Sequence, residues 1–242
     1  MDTKVIESSV SSTDKQRSII KNKEGYYRVT FGALNTYTDS GIYYRVTNVD
    51  EALGSKSLVG KRIEKGLLRG EYNHPDVNGL TENELKRRTV WLELDNVAAH
   101  IQKIEIIDTG KTEPGFKNNI LEIYGWVKPE GSKGEHLKEM LGNPDANVAF
   151  SIRSLVYQHT VGSITIREVV IISTWDLVHE PGVGSATQWN SVGVESMDTN
   201  ITKEELADLR SGFENSDLCK DGVCIVESLD TAIKNNNPLL NW

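Results

Sequence analysis

From Tyr26 to Val178 the chain repeats one kind of segment: a run of β-branched and aromatic residues, closed by turn residues and followed by another run. This recurrence limits the fold more than any other feature, because such runs are stable only when paired in sheets that bury a face. The runs occupy residues 26–31, 42–46, 89–94, 100–107, 120–127, 147–157 and 164–178, with Pro114-Gly115 marking a turn. Helical spacing is confined to a few places. Leu58, Ile63, Leu67 and Leu68 give a weak pattern over 57–69 that ends near Gly70, and Leu137, Met140 and Leu141 give another, closed by Gly142-Asn143-Pro144. A third, over 202–213, starts with the capping-box-like Thr202-Lys203-Glu204-Glu205. The pattern predicts a mainly β fold with surrounding helices, and periodicity alone leaves barrel and sandwich open.

At 242 residues, 38% hydrophobic, the chain can bury one real core. Residues 1–24 are polar and lack a face to bury, so they read as a flexible arm. The globular domain is expected over 25–190, followed by a polar C-terminal tail over 191–242 with one short helix. A net charge of -8 and a pI near 5.2 argue against nucleic acid as a partner. No apolar run approaches the roughly 20 residues of a membrane span, and no signal-peptide core opens the chain, so no membrane is expected and the place of work is a cytoplasm. Cys219 and Cys224 lie close together in the polar tail and fit neither a disulfide framework nor a four-ligand zinc site. They are expected as reduced thiols, with no metal and no cofactor.

A serine nucleophile needs a base within hydrogen-bond reach, and the base needs a third group to fix its tautomer. No serine stands in Gly-x-Ser-x-Gly, and no His-Glu-x-x-His is present, which removes the α/β-hydrolase elbow and the common zinc peptidase motif. Residue type does not rank the five histidines as bases. Pro75 biases His74 toward extended backbone. In the 147–157 strand, Val148, Phe150 and Ile152 share the apolar face, while Ala149, Ser151 and Arg153 share the other. Arg153 either sits by a site or solvates that polar face.

The segment Gly70-Glu71-Tyr72-Asn73-His74-Pro75 resembles the Gly-Glu-x-x-His-Pro signature of the prohead core proteases of large tailed phages, relatives of herpesvirus assemblin. Val148-Ala149-Phe150-Ser151-Ile152-Arg153-Ser154 is similar to that family's Val-Gly-Val-Ser-Ser-Arg-Gly strand, whose first serine is the nucleophile. Ile152 replaces the second serine, and Arg153-Ser154 replaces Arg-Gly. Asp176-Leu177-Val178-His179-Glu180-Pro181 resembles the family's Asp-x-Val-x-x-Pro-Ser segment. The resemblance covers about residues 60–188 and implies a closed β-barrel like the herpesvirus proteases. It implies Ser151 as nucleophile, His74 as general base and Asp176 as orienting group, with His179 competing for the third role. It also implies an oxyanion site around residues 182–184.

A member of this family cuts scaffold or core proteins, the major capsid protein and itself inside the assembling prohead, in the host cytoplasm. A second copy of the chain is one further partner left open. Ile225-Val226-Glu227-Ser228 has the aliphatic-x-Glu form of a self-cleavage site in the tail, and Ile166-Arg167-Glu168 has the same form within a core strand. Two other readings stand beside this one: a catalytically silent capsid-assembly or scaffold-binding domain of the same fold, and a small-molecule esterase.

Overall fold

The computed structural model describes residues 20–38, 40–143, 145–179 and 197–214. Most of the expected arm, the stretch 182–184, both cysteines and Glu227 lie outside the described residues.

Two five-stranded sheets make the body of the molecule. The first runs in the order β1 (Ile20–Lys21), β2 (Tyr27–Leu34), β7 (Asn119–Pro129), β6 (Val97–Thr112), β5 (Arg69–Glu71), with all neighbours antiparallel. The second runs β10 (Met197–Asn200), β8 (Ala149–Val161), β9 (Ile164–Val178), β4 (Tyr43–Arg45), β3 (Thr36–Tyr37). In it β10 lies parallel to β8, and β4 parallel to β9.

The sequence resemblance implies a closed barrel, and the structure corrects this. Both sheets stay open, with β1 and β5 at the edges of one and β10 and β3 at the edges of the other. Closure needs a continuous hydrogen-bonded ladder around the ring. Here the sheets meet through an isolated parallel bridge, Tyr72 to Leu177, and edge strands β1 and β3 are only two residues long.

The inner faces share one apolar core. Phe31 of β2 stacks on Trp175 of β9 with ring centroids 4.8 Å apart, and lies 5.1 Å from Phe150 of β8. Gly125 of β7 leaves the space that the Phe31 ring fills, since a methyl group there would overlap it. A second cluster covers the outer face of the second sheet. It joins Leu155, Val170 and Ile171 to Leu58, Val90, Ile201 and Leu206. Those partners come from or flank three helices: α2 (Leu58–Glu64), α3 (Glu82–Val90) and α5 (Lys203–Glu214). With both faces covered, β9 is buried along nearly all of its C-terminal half, where Val169-Val170-Ile171-Ile172 is apolar on both faces rather than alternating.

Side-chain caps start several helices. Asn48 accepts from the Glu51 N–H at α1 (Val49–Leu53), and Ser57 accepts from the Gly60 N–H at α2. Thr81 and Glu84 form a reciprocal capping box at α3. Residues 89–94 are therefore not the expected strand: Thr89 and Val90 finish α3, and Leu94 opens a 3-10 turn. The helix expected over 57–69 is shorter: it ends at Glu64, Gly66 follows with φ 66°, and Arg69 already belongs to β5. The helix expected around Leu137 is α4 (Gly134–Gly142), and that expected over 202–213 is α5.

The stretch read as polar tail also contributes β10, which no periodicity announced. Asp198 accepts from Ser154 Oγ at 2.7 Å and from Arg167 at 2.8 Å. Thr199 shares a 2.6 Å hydrogen bond with Thr89. Lys86 of α3, 2% exposed, reaches both oxygens of Glu205 at 2.8 and 2.9 Å.

Candidate active site

β8 and β9 pair antiparallel with Ser151 directly opposite Asp176 and Arg153 opposite Thr174. Directly opposed residues project from the same face of a sheet, with Cβ atoms about 5 Å apart. Phe150, Ile152, Trp175 and Leu177 enter the inner core, so Ser151, Arg153 and Asp176 share the outer face. That face is not solvated here. Ser151 is 2% exposed, and Arg153 and Asp176 are fully buried.

β5 and the loop after it cover this face. Gly70 crosses β9 so closely that a methyl group would collide with the Trp175 carbonyl oxygen, which accounts for glycine at this place in the motif. Next along the chain, the Glu71 N–H donates to Asp176 Oδ1 at 3.0 Å and the Asn73 N–H donates to the Leu177 carbonyl at 2.8 Å. Asn73 adopts the left-handed region, φ 59°, which asparagine tolerates better than most residues. Through this turn His74 reaches the outer face and donates from Nδ1 to Asp176 Oδ2 at 2.9 Å. In a neutral ring, the bond to a carboxylate places the proton on Nδ1 and leaves Nε2 with a lone pair. His74 Nε2 is buried and has no hydrogen-bond partner among the described residues, so the Ser151 hydroxyl on the same face is not bonded to it here.

Asp176 accepts four hydrogen bonds. Arg153 supplies two in a fork, Nε to Oδ2 at 2.8 Å and Nη2 to Oδ1 at 2.6 Å. Burial alone would raise the carboxyl pKa, but the Arg153 charge and the bonds from His74 and Arg153 outweigh it and hold Asp176 below the ordinary carboxylate range. Glu71 repeats the pattern one step outward. It receives Arg88 at 2.9 and 2.6 Å, the Glu93 N–H at 2.7 Å and Arg153 Nη1 at 3.2 Å. Desolvation opposes its charge, and Arg88 and Arg153 more than compensate, so its carboxyl is also depressed. Arg153 loses by burial and gains more from Asp176 and Glu71, which raises it further.

The structure thus joins His74 to Asp176 and sets Ser151 beside Asp176 on the same face. His179, the competitor for the third role, is exposed and lies edge-on to Tyr72, with its Nε2 3.3 Å from the Tyr72 hydroxyl. His100 bonds Tyr26 and the Gly66 carbonyl, and His136 stacks on Tyr72. Glu71 and Arg88 had no role assigned from the sequence. The one signal for Glu71 was its place in the His74 motif, and Arg88 falls on a helix of which only the last two residues were read at all, as part of a strand. Among the described residues, no group of three or more His, Cys, Asp or Glu is placed to hold a metal ion, and no helix is long and apolar enough to cross a membrane.

Comparison with known proteins agrees with a peptidase. The model of the peptidase S80 family matches residues 6–222. The capsid maturation protease of Pseudomonas phage phiKZ is 28% identical over 225 residues, covering 86% of this chain and 82% of that protein. No solved structure matches the chain. A family match spanning His74, Ser151 and Asp176 alike makes the conclusion direct: the chain belongs to the peptidase S80 family.

Proposed function

We propose that the chain is a serine endopeptidase of phage prohead maturation, with Ser151 as nucleophile, His74 as general base and Asp176 as the group that orients His74. The observation that carries this reading is the 2.9 Å bond from His74 to a buried Asp176 that stands opposite Ser151. In the reaction, His74 Nε2 takes the Ser151 hydroxyl proton as Oγ attacks a peptide carbonyl carbon. The tetrahedral intermediate collapses as His74 returns the proton to the departing amine, leaving an acyl-serine. Water, deprotonated by His74, then attacks the ester and releases the acid and free Ser151. Asp176 keeps the Nδ1–H tautomer and stabilises the imidazolium without itself taking the proton.

The similarity to the phiKZ capsid maturation protease supports capsid protein as a substrate; scaffold proteins as further substrates, and the assembling head in the host cytoplasm as the place of action, belong to the same proposal. Ile166-Arg167-Glu168 lies within β9 with Ile166 at 2% exposure, so between it and the tail sequence the one ending at Glu227 is kept as the site of self-cleavage.

Co-expression with the head proteins of the same phage tests the reading. Specific fragments are expected with the wild type and none with Ser151→Ala or His74→Ala. Fragments that persist in Ser151→Ala would rule Ser151 out as nucleophile. Intact mass decides self-cleavage: equal masses for wild type and Ser151→Ala would remove it.

A further inference from the structure

Asp176 can orient an imidazole only if the carboxylate itself cannot turn. A carboxylate offers about four acceptor positions, and all four are used here. Oδ1 takes the Glu71 N–H and Arg153 Nη2, and Oδ2 takes His74 Nδ1 and Arg153 Nε. The two Arg153 bonds run in parallel to both oxygens, an arrangement that fixes the carboxylate plane as a single bond does not. Arg153 is held in turn at its far side. Its Nη1 donates to Glu71 Oε1 at 3.2 Å and to the Trp91 carbonyl at 3.3 Å. Glu71 is itself anchored by Arg88, the Glu93 N–H and the Asn96 amide. A row of alternating charges, Arg88, Glu71, Arg153 and Asp176, therefore ends on His74.

We propose that Arg153 is a positioning residue of the catalytic centre, locking the plane of Asp176 and through it the orientation of the His74 ring, with Glu71 as the anchor of Arg153. The inference rests on the reading of Ser151, His74 and Asp176 as the reacting set. Chemistry distinguishes this role from that of a buried counter-ion. A lysine at 153 keeps a positive charge but, as a point donor, cannot bridge two carboxylate oxygens in one plane. Were charge balance the whole role, lysine would serve.

The test uses the full chain and a fluorophosphonate probe, which acylates an activated serine and needs no protein substrate. Labelling of Ser151 is followed against probe concentration, at a temperature well below every variant's melting midpoint. Arg153→Lys is expected to lower the limiting labelling rate by about 10- to 100-fold, the scale of a misplaced catalytic group, with half-saturating probe concentration within about twofold of wild type. Glu71→Gln is expected to show the same split with a smaller loss, because Arg153 keeps its fork. Arg153→Lys labelling at the wild-type rate per folded molecule would overturn the proposal, as would a change in half-saturation alone. If Arg153→Lys does not fold, Glu71→Gln decides, and an unchanged limiting rate in it overturns the proposal. Ser151→Ala and His74→Ala run alongside. Labelling of either at the wild-type rate, or an unlabelled wild type, refutes the reacting set itself, whereas failure confined to the 153 and 71 variants refutes only the positioning role.

Discussion

Replacing Lys86 by methionine isolates the cost of one buried charge. Lys86 and Glu205 have side chains 2% and 4% exposed, and the ammonium reaches both carboxylate oxygens at 2.8 and 2.9 Å. Methionine nearly matches the volume of the lysine stem but leaves the Glu205 carboxylate buried. Among the described residues, that carboxylate then keeps the bond from the Thr202 N–H at 2.8 Å. Removing one partner of a buried pair costs about 3–5 kcal/mol. For a domain of this size that corresponds to a melting midpoint lower by about 6–20 °C. The lysine's other partner, Glu82, is 72% exposed, and the loss of that contact adds little. The double variant Lys86→Met/Glu205→Gln should recover most of the loss, because glutamine keeps the capping bonds with Thr202 and carries no charge. Urea unfolding followed by tryptophan fluorescence gives both numbers. A single variant within about 1 kcal/mol of wild type, or a double variant no more stable than the single, would refute the argument that desolvation of an unpaired charge dominates here.

Gly70→Ala should slow Ser151 acylation by about 100-fold, since the added methyl meets the Trp175 carbonyl and must push β5, and with it His74, away from β9; labelling at the wild-type rate would contradict this, and Gly142→Ala, which meets nothing, serves as the control. Acid stability should follow Asp176 and Glu71, whose carboxyls lie below their unfolded values of 3.8 and 4.5. The stability they supply is complete above those unfolded values and is lost as pH falls through the depressed folded ones, so urea midpoints should drop below pH ~4; a profile flat from pH ~4 to 3 would contradict it. Phe31→Ala, which empties the space against Trp175 and Phe150, should cost about 3–5 kcal/mol without altering the acylation rate of the folded fraction. Calorimetry and probe labelling check the two halves.

The β-rich runs were legible because alternation and β-branching report sheet pairing directly. The run at 89–94 misled because Thr89 and Val90 favour strands locally, while Thr81 and Glu84, earlier in the chain, cap a helix that extends through them. Sheet closure was not legible at all, since it depends on which strands pair and not on their composition. At the site, the period of two in β8 put Ser151 and Arg153 on one face but could not tell that the face is buried, because the cover comes from residues 71–96, far away in sequence. The pairing of His74 with Asp176 spans 102 positions. No local pattern carries such a contact, and motif resemblance alone brought the two together.

β10 is the last described strand in sequence, yet it borders the strand that holds Ser151. A nascent chain that has reached Val178 already contains Glu71, His74, Ser151, Arg153 and Asp176, but it lacks the edge of the second sheet and the partner of Lys86. Those contacts close loops of 44 residues between Ser154 and Asp198 and of 119 between Lys86 and Glu205, the kind of distant closure that forms late in folding. Completion of the fold must therefore wait until residue 206 has left the ribosome, and translation itself sets the earliest moment at which a finished enzyme can exist.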